Sequence, residues 1–330
     1  MLKKSVTILF SFIICFFYWG IIKAGELYVV TTLPSLASIT QSIGGEYIDV
    51  YSITRGSQDA HYVEAKPSYM VKLNKADLLI YSGLELEIGW LPLLIQGARN
   101  NDVTVGAKGN LNASLALSGN AILEKPRGEV DRSMGDVHPA GNPHYLLNPH
   151  NAIQVAELIT EKLCELDPEH KIHFRQNLDN FVGTLEVKIK SFESQREQLK
   201  GRDVVCYHVH WSYLLEWLGI KSVGYIELRP GIPPTPKHKK EIIELMEDKQ
   251  IHVVIISSWK EPTKAEEVAK ATNARLLILP GEVDAMDDTD DYFKWMDYLI
   301  TNLSDAFSIN VQSTKSRDQV RERERKRGTK

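Results

Sequence analysis

Cysteine is scarce in this chain of 330 residues, with three in all, at positions 15, 164 and 206. No Cys-x-x-Cys pair and no His-Glu-x-x-His segment occurs, which excludes the compact, sequence-local zinc sites. No G-x-x-x-x-G-K-[ST] segment occurs either, so any ATP hydrolysis linked to this protein belongs to another chain. Positive charge is short once the two ends are set aside. Residues 1–24 hold three Lys and no acid, and residues 315–330 hold eight Lys or Arg against three Asp or Glu. The 28 basic and 40 acidic residues that remain give a body near −12, which suits a cation ligand and argues against nucleic acid.

The first segment has a shape of its own. Lys3 and Lys4 precede an uncharged apolar run from Val6 to Ile22, and Lys23-Ala24-Gly25-Glu26 follows. This pattern predicts a signal peptide over 1–24 and an exported, periplasmic body. The run just reaches the length of a membrane span, so an uncleaved N-terminal anchor is the alternative. Ile14 before Cys15 is not the small residue of a lipobox, so lipidation is not expected. With Cys15 removed, Cys164 and Cys206 are expected as two buried thiols. The tail 309–330, with its run "KSRDQVRERERKRGTK", is expected to be a solvated, disordered end.

Between these ends the apolar period alternates. Short β-rich runs lie at 26–32, 47–54, 77–83 and 102–107, and again at 203–208, 222–228, 251–257 and 275–280. Helical patterns separate them, as at Pro34 to Ile43 and Pro67 to Asn74. Strands alternating with helices predict parallel sheets covered on both faces. Two series predict an α/β fold of two lobes, each with a parallel four-stranded sheet, over 25–167 and 201–308. Residues 168–200 between them are predicted to form one long rigid linking helix. Asp167-Pro168 reads as its start, Gly201 as its stop, and Phe174, Leu178, Phe181, Leu185 and Ile189 as its apolar stripe. At 1.5 Å per residue the rod would be about 50 Å long, with Gly183 the place for a break.

Ten histidines are spread over this frame. His170 and His173 fall on the rod, and His238 and His252 at element starts, where structural or exposed roles suffice. His61 follows the second strand, His208 closes the fifth, and Asp284 follows the last. Ligands of open α/β sheets bind beyond the carboxyl ends of strands, where these three point. His144, in "GNPHYLLNPHN", comes from a loop of about forty residues after the fourth strand, long enough to be functional. Asn148-Pro149 reads as the cap and first turn of the next helix, which makes His150 a helix-start residue. Imidazoles with one carboxylate suit Zn²⁺, whereas Mn²⁺ favours more oxygen.

Several segments together resemble the cluster A-I solute-binding proteins, the metal-binding subunits of bacterial ABC importers for zinc and manganese. "QDAHYVEAKPS" is similar to the family's D-P-H-x-Y-E-x-x-P-S, with Ala60 in place of proline. "SGLELEIGWLPLL", "GNPHYLLNP", "YHVHWSYLLEWLGI" and "IELRPGIPPTP" resemble its later segments, with Tyr145 and Asn148 as departures. The similarity runs from about residue 26 to 307. It implies three histidine ligands at His61, His144 and His208, and a fourth, acidic or water, after the last strand. Asp284 is preferred there over Glu282 and Asp287. His208 stands where the manganese branch has a carboxylate, which implies the zinc branch. Many zinc members carry a histidine-rich loop before the second ligand, but 107–143 offers only His138. His138 and His210 stay open as alternative or transient ligands.

The implied function is capture of Zn²⁺ between the lobes by a monomer, and delivery to the permease and ATPase subunits of an ABC importer. Binding should fail below about pH 6 as the histidines protonate. Two other classes stay in view. One is an exported zinc hydrolase with Glu64 or Glu282 as base, which needs an open metal position. The other is a surface adhesin stabilised by metal.

Overall fold

The computed structural model describes residues 26–126, 138–227 and 232–308. The segments expected to be a signal peptide and a disordered tail, together with residues 127–137 and 228–231, lie outside the described residues. Among those described, no helix is long and apolar enough to cross a membrane.

Two four-stranded sheets form, both entirely parallel. In the first, β1 (Leu27–Thr31), β2 (Ile48–Ser52), β3 (Leu78–Tyr81) and β4 (Asn110–Asn112) lie in the order β2-β1-β3-β4. In the second, β5 (Asp203–Cys206), β6 (Lys221–Tyr225), β7 (Val253–Ser257) and β8 (Arg275–Leu279) lie in the equivalent order β6-β5-β7-β8. The central strands are buried on both faces; every residue of β7 is buried, as a covered parallel strand requires. Helices α1 (Pro34–Gly44), α2 (Pro67–Asn74) and α3 (Leu91–Ala98) connect the first sheet. Helices α7 (Ser212–Leu218), α8 (Pro236–Asp248) and α9 (Thr263–Ala271) connect the second, and a last helix, α10, runs over 292–308. Pro occupies the first turn of α1, α2, α3 and α8, where its missing N–H costs nothing.

The fourth strand is not the β-branched run at 102–107. Asn101–Val103 is a single 3-10 turn capped by the Asn100 side chain, and Val105 is 80% exposed. Asn110, Leu111 and Asn112 pair with Leu79, Ile80 and Tyr81 instead. Of the apparent alternation only Val103 finds the core, and Asn110 Nδ2 bonds the Val103 carbonyl to close the turn. The loop leading to His144 is correspondingly shorter, starting after a 3-10 turn at Ala113–Ala116.

The link between sheets is also reorganised. α4 (Pro149–Leu166) starts at the Asn148 cap, whose side chain accepts from the His150 N–H at 3.0 Å. Asp167 ends α4 rather than opening the next helix, and its carboxylate accepts from the His170 N–H and ring. α5 (Lys171–Ser191) then runs through Gly183 without a break, and the interruption falls at Phe192 before α6 (Glu193–Leu199). Gly183 faces open space, so nothing there forces a kink, whereas Phe192 is buried.

One apolar cluster runs from Val29 and Leu36 through Ile159, Phe174 and Trp211 to Leu299 and Ala306. The lobes thus share a core. They also touch backbone to backbone: a Cβ at Gly56, on the loop after β2, would strike the chain at Val283–Ala285 after β8. Cys206 is buried and its thiol is pushed up to about 12 by burial, but Cys164 is only half-buried, against expectation. The two are free thiols.

Candidate metal site

The carboxyl ends of both sheets meet at one cluster of imidazoles. The ring centroids of His61 and His144 are 5.3 Å apart, those of His61 and His138 5.2 Å, and those of His61 and His208 6.3 Å. His210 lies 4.1 Å from His144. His61, His144 and His208 are therefore brought together, and His138 and His210 join them. His170 and His173 are elsewhere, packed on Tyr47 beside α5. His238 Nε2 donates to the Tyr225 carbonyl at the start of α8.

Each ring is aimed by local chain chemistry. The loop after β2 turns back on Asp59, whose Oδ1 accepts from the His61 N–H at 3.1 Å and from its Nδ1 at 2.7 Å. Trp90 Nε1 pins the same loop through the Ala60 carbonyl. With Nδ1 donating, His61 Nε2 carries the lone pair, the arrangement carboxylates impose on metal-binding histidines. His144 is placed by Asn142, which accepts from the His144 N–H at 2.9 Å and donates to the Val209 carbonyl of the other lobe at 3.1 Å. His208 follows β5, with Nδ1 2.9 Å from Glu227 Oε2. Glu227 is held by its own N–H on the Tyr207 carbonyl.

His138 repeats the logic of His61 without a carboxylate. Its Nδ1 lies 3.1 Å from the Leu84 carbonyl, which can only accept, so His138 Nε2 also carries a lone pair. The two Nε2 atoms face each other at 3.1 Å. Two lone pairs at that distance repel unless a proton or a cation lies between them. Ligand nitrogens on a tetrahedral ion at 2.0–2.1 Å stand about 3.3 Å apart, so the spacing fits a shared metal.

Protons compete poorly for part of the cluster. His144 is held well below the ordinary histidine value, by burial first and then by the neighbouring imidazoles His210, His61, His208 and His138. Burial, followed by His208, takes His210 down to about 3, although its hydrogen bond to the Gly281 carbonyl opposes this. Burial works against ionisation of Asp59, but the hydrogen bond from His61 and the charges of His61 and Lys260 outweigh it, leaving a carboxylate well below its usual range. Among the described residues, no three His, Cys, Asp or Glu side chains already stand in coordinating geometry. The rings are neighbours whose donor atoms have still to turn onto one point.

The acidic loop after β8 does not join the cluster in the expected way. Asp284 is exposed, in a left-handed backbone conformation at φ 60°, and lines a cleft with Pro34, Ser38, Arg55 and Asp290. Asp287 is exposed too. Glu282 is buried, and its Oε1 accepts from the Ser35 and Val283 N–H groups at 2.9 Å each. Glu64, the other carboxylate considered as a base, is exposed and 3.7 Å from Lys66. The sequence reading matched Asp59 and Glu227 to family segments without giving them a role and did not single out Lys260; the Asp-x-His spacing of Asp59 and His61 was the readable sign of the first.

Comparison with known proteins agrees with this frame. The family described as "ZnuA: Zinc-uptake complex component A periplasmic" matches residues 29–306. The metal ABC transporter substrate-binding lipoprotein SsaB of Streptococcus sanguinis is 24% identical over 293 residues, covering 86% of this chain and 90% of that protein. The manganese ABC transporter substrate-binding lipoprotein ScaA of Streptococcus gordonii is 24% identical over 294 residues, with 87% and 90% covered. A crystal structure of a ZnuA deletion mutant with zinc bound superposes with a TM-score of 0.70 at 19% identity, over 85% of this chain and 98% of that one. The chain therefore belongs to the ZnuA family of metal-binding ABC-importer subunits, and is a solute-binding protein rather than an enzyme.

Proposed function

We propose that this protein captures Zn²⁺ between its lobes for high-affinity uptake, with His61, His144 and His208 as ligands. Membership of the family implies a membrane permease and an ATPase as partners. The observation that carries the zinc reading is the facing pair of Nε2 atoms of His61 and His138, 3.1 Å apart, within a cluster of imidazoles. A donor set of nitrogens suits zinc, and manganese prefers oxygen. His138 supplies the fourth donor in this arrangement; Asp284 would reach the ion only if its loop swung inward. Relatives named for manganese make the metal the point to test.

The experiment is metal content of the untagged protein after competition between Zn²⁺ and Mn²⁺ at equal free concentration. One Zn²⁺ per chain, displaced by neither equimolar Mn²⁺ nor dilution, is the expected result. Preference for Mn²⁺ would overturn the zinc reading while leaving the family intact. The relatives are named as lipoproteins, which supports an exported protein held at a membrane surface. Fractionation of cells expressing the full chain, with and without Cys15→Ser, separates a lipid anchor from an apolar one.

A further inference from the structure

Lys260 sits on the turn after β7, where its N–H is tied to the Ser257 carbonyl. Its ammonium lies 3.1 Å from Asp59 Oδ2 and 4.0 Å from Glu227 Oε1. Those two carboxylates come from opposite lobes, and each turns its other oxygen to a histidine: Asp59 Oδ1 accepts from His61 Nδ1, and Glu227 Oε2 stands 2.9 Å from His208 Nδ1, at ion-pair distance without hydrogen-bond alignment. The side chain of Lys260 is only 19% exposed, and those of Asp59 and Glu227 are 19% and 5% exposed. Lys260 thus joins a chain of five groups, His61–Asp59–Lys260–Glu227–His208, that crosses between the lobes and closes where the two rings meet.

We propose that Lys260 is a built-in counter-cation of the site: it holds the two aiming carboxylates together when no metal is bound, and it weakens the grip on the metal that arrives. The inference rests on the metal site proposed above. Its physical basis is charge. Two carboxylates from opposite lobes, one buried and one half-buried, repel unless a cation lies between them, and the effective dielectric of such a site leaves that repulsion only partly screened. Lys260 answers it in the ion-free protein. Once a divalent ion sits on His61 and His208, the same two carboxylates serve it through the imidazoles, and the ammonium becomes a like charge beside it. It also draws electron density from both carboxylates, which makes the imidazoles they hold weaker donors. Lysine and metal are therefore coupled negatively, and by linkage removing one strengthens the other. An uptake protein has to release its cargo to the permease, and a resident cation that takes up the freed charge favours that step.

The test is the affinity of the full chain for Zn²⁺, measured by competition with a chelator, in wild type, Lys260→Met, Lys260→Gln, Lys260→Arg and His61→Ala. The two neutral variants are expected to bind at least about tenfold tighter, with slower release, while the ion-free protein melts at a lower temperature. Lys260→Arg keeps the charge and should return affinity to within about threefold of wild type. A purely structural role for Lys260 would lower affinity and melting temperature together, and that result would overturn the proposal, as would unchanged affinity in both neutral variants. If His61→Ala binds as wild type does, the metal site itself is wrong and the proposal falls with it. Weak binding by His61→Ala beside unchanged Lys260→Met overturns the proposal alone.

Discussion

The two lobes share a strand order, β2-β1-β3-β4 against β6-β5-β7-β8, yet use the same place in that order differently. In each sheet the connections diverge beside the first strand, which opens a crevice at the carboxyl ends of β1 and β3, or of β5 and β7. The first lobe plugs its crevice with its own side chain. Glu87 is buried there, with Oε1 accepting from Thr32 Oγ1 at 2.6 Å and the Ser82 N–H at 2.7 Å, and Oε2 from the Gly83 N–H at 3.1 Å. The second lobe leaves its crevice to chemistry: His208 follows β5 and Lys260 follows β7. The first lobe must then supply its donors from loops, His61 on the turn set by Asp59 and His138 and His144 from the segment after β4. Equal topology therefore gives a rigid donor on one side and adjustable donors on the other, which suits a site whose rings still have to turn onto the ion.

The largest effect that would break this comparison comes from removing a donor. Because the metal crosslinks the lobes, His61→Ala, His144→Ala and His208→Ala should each cost about a hundredfold or more in Zn²⁺ affinity, taking roughly 10–16 kcal/mol of binding energy over four ligands. His170→Ala, remote from the cluster at the N-cap of α5, should leave affinity unchanged. His138→Ala should fall between them, because a water can replace a loop donor. Calorimetric titration of the five variants decides it: equal losses everywhere would mean the rings do not act as a site, and no loss at His138 would return the fourth position to another group.

A smaller effect tests the seam between the lobes. Glu282, beyond β8, accepts from the Ser35 N–H at the start of α1 and from Val283, and burial raises its carboxyl to about 7 despite those hydrogen bonds. A group whose folded value lies above its unfolded value stabilises fully below the unfolded value and loses that contribution as pH rises through the folded one. Between about pH 4.5 and 7 the ion-free protein should lose up to about 3 kcal/mol from this group. Glu282→Gln keeps the accepting oxygen and removes the ionisation. Its unfolding midpoint in urea should match wild type at pH 4.5 and exceed it at pH 8. A variant less stable than wild type at both pH values would show that the carboxylate itself holds the seam.

Much of this was legible in the chain, and what was not has physical reasons. Alternating periods disclosed both sheets because buried parallel strands are runs of apolar residues whatever surrounds them. The strand at Asn110–Asn112 stayed hidden, since its flanking asparagines read as turn, while Val103 and Val105 imitated a strand they do not form. The helix break fell at Phe192 and not at Gly183, because a single glycine only weakens a helix by a modest entropic cost that the packing of Phe181 and Leu185 on either side of it offsets. At the site, strand ends pointed to His61 and His208, the long loop after the fourth strand to His144, and family resemblance to all three. Lys260 was missed because its contact with Asp59 crosses the cleft between residues 201 positions apart, whereas Asp59 itself stood two residues before His61.

The smallest expected effect sharpens the comparison most. The second lobe had been expected to add an oxygen, from Asp284, to the nitrogens of the first. Asp284 instead stands exposed on a left-handed turn, its N–H bonded to the Thr289 carbonyl at 2.7 Å. Asparagine tolerates that backbone conformation as well as aspartate does, so Asp284→Asn removes charge without straining the loop. Affinity for Zn²⁺ should stay within about twofold of wild type, since an exposed charge is well screened. A loss above about tenfold would instead mean that the loop after β8 closes on the ion and delivers a carboxylate. The second lobe would then be adjustable too, and a mixed nitrogen and oxygen donor set would reopen the choice between zinc and manganese.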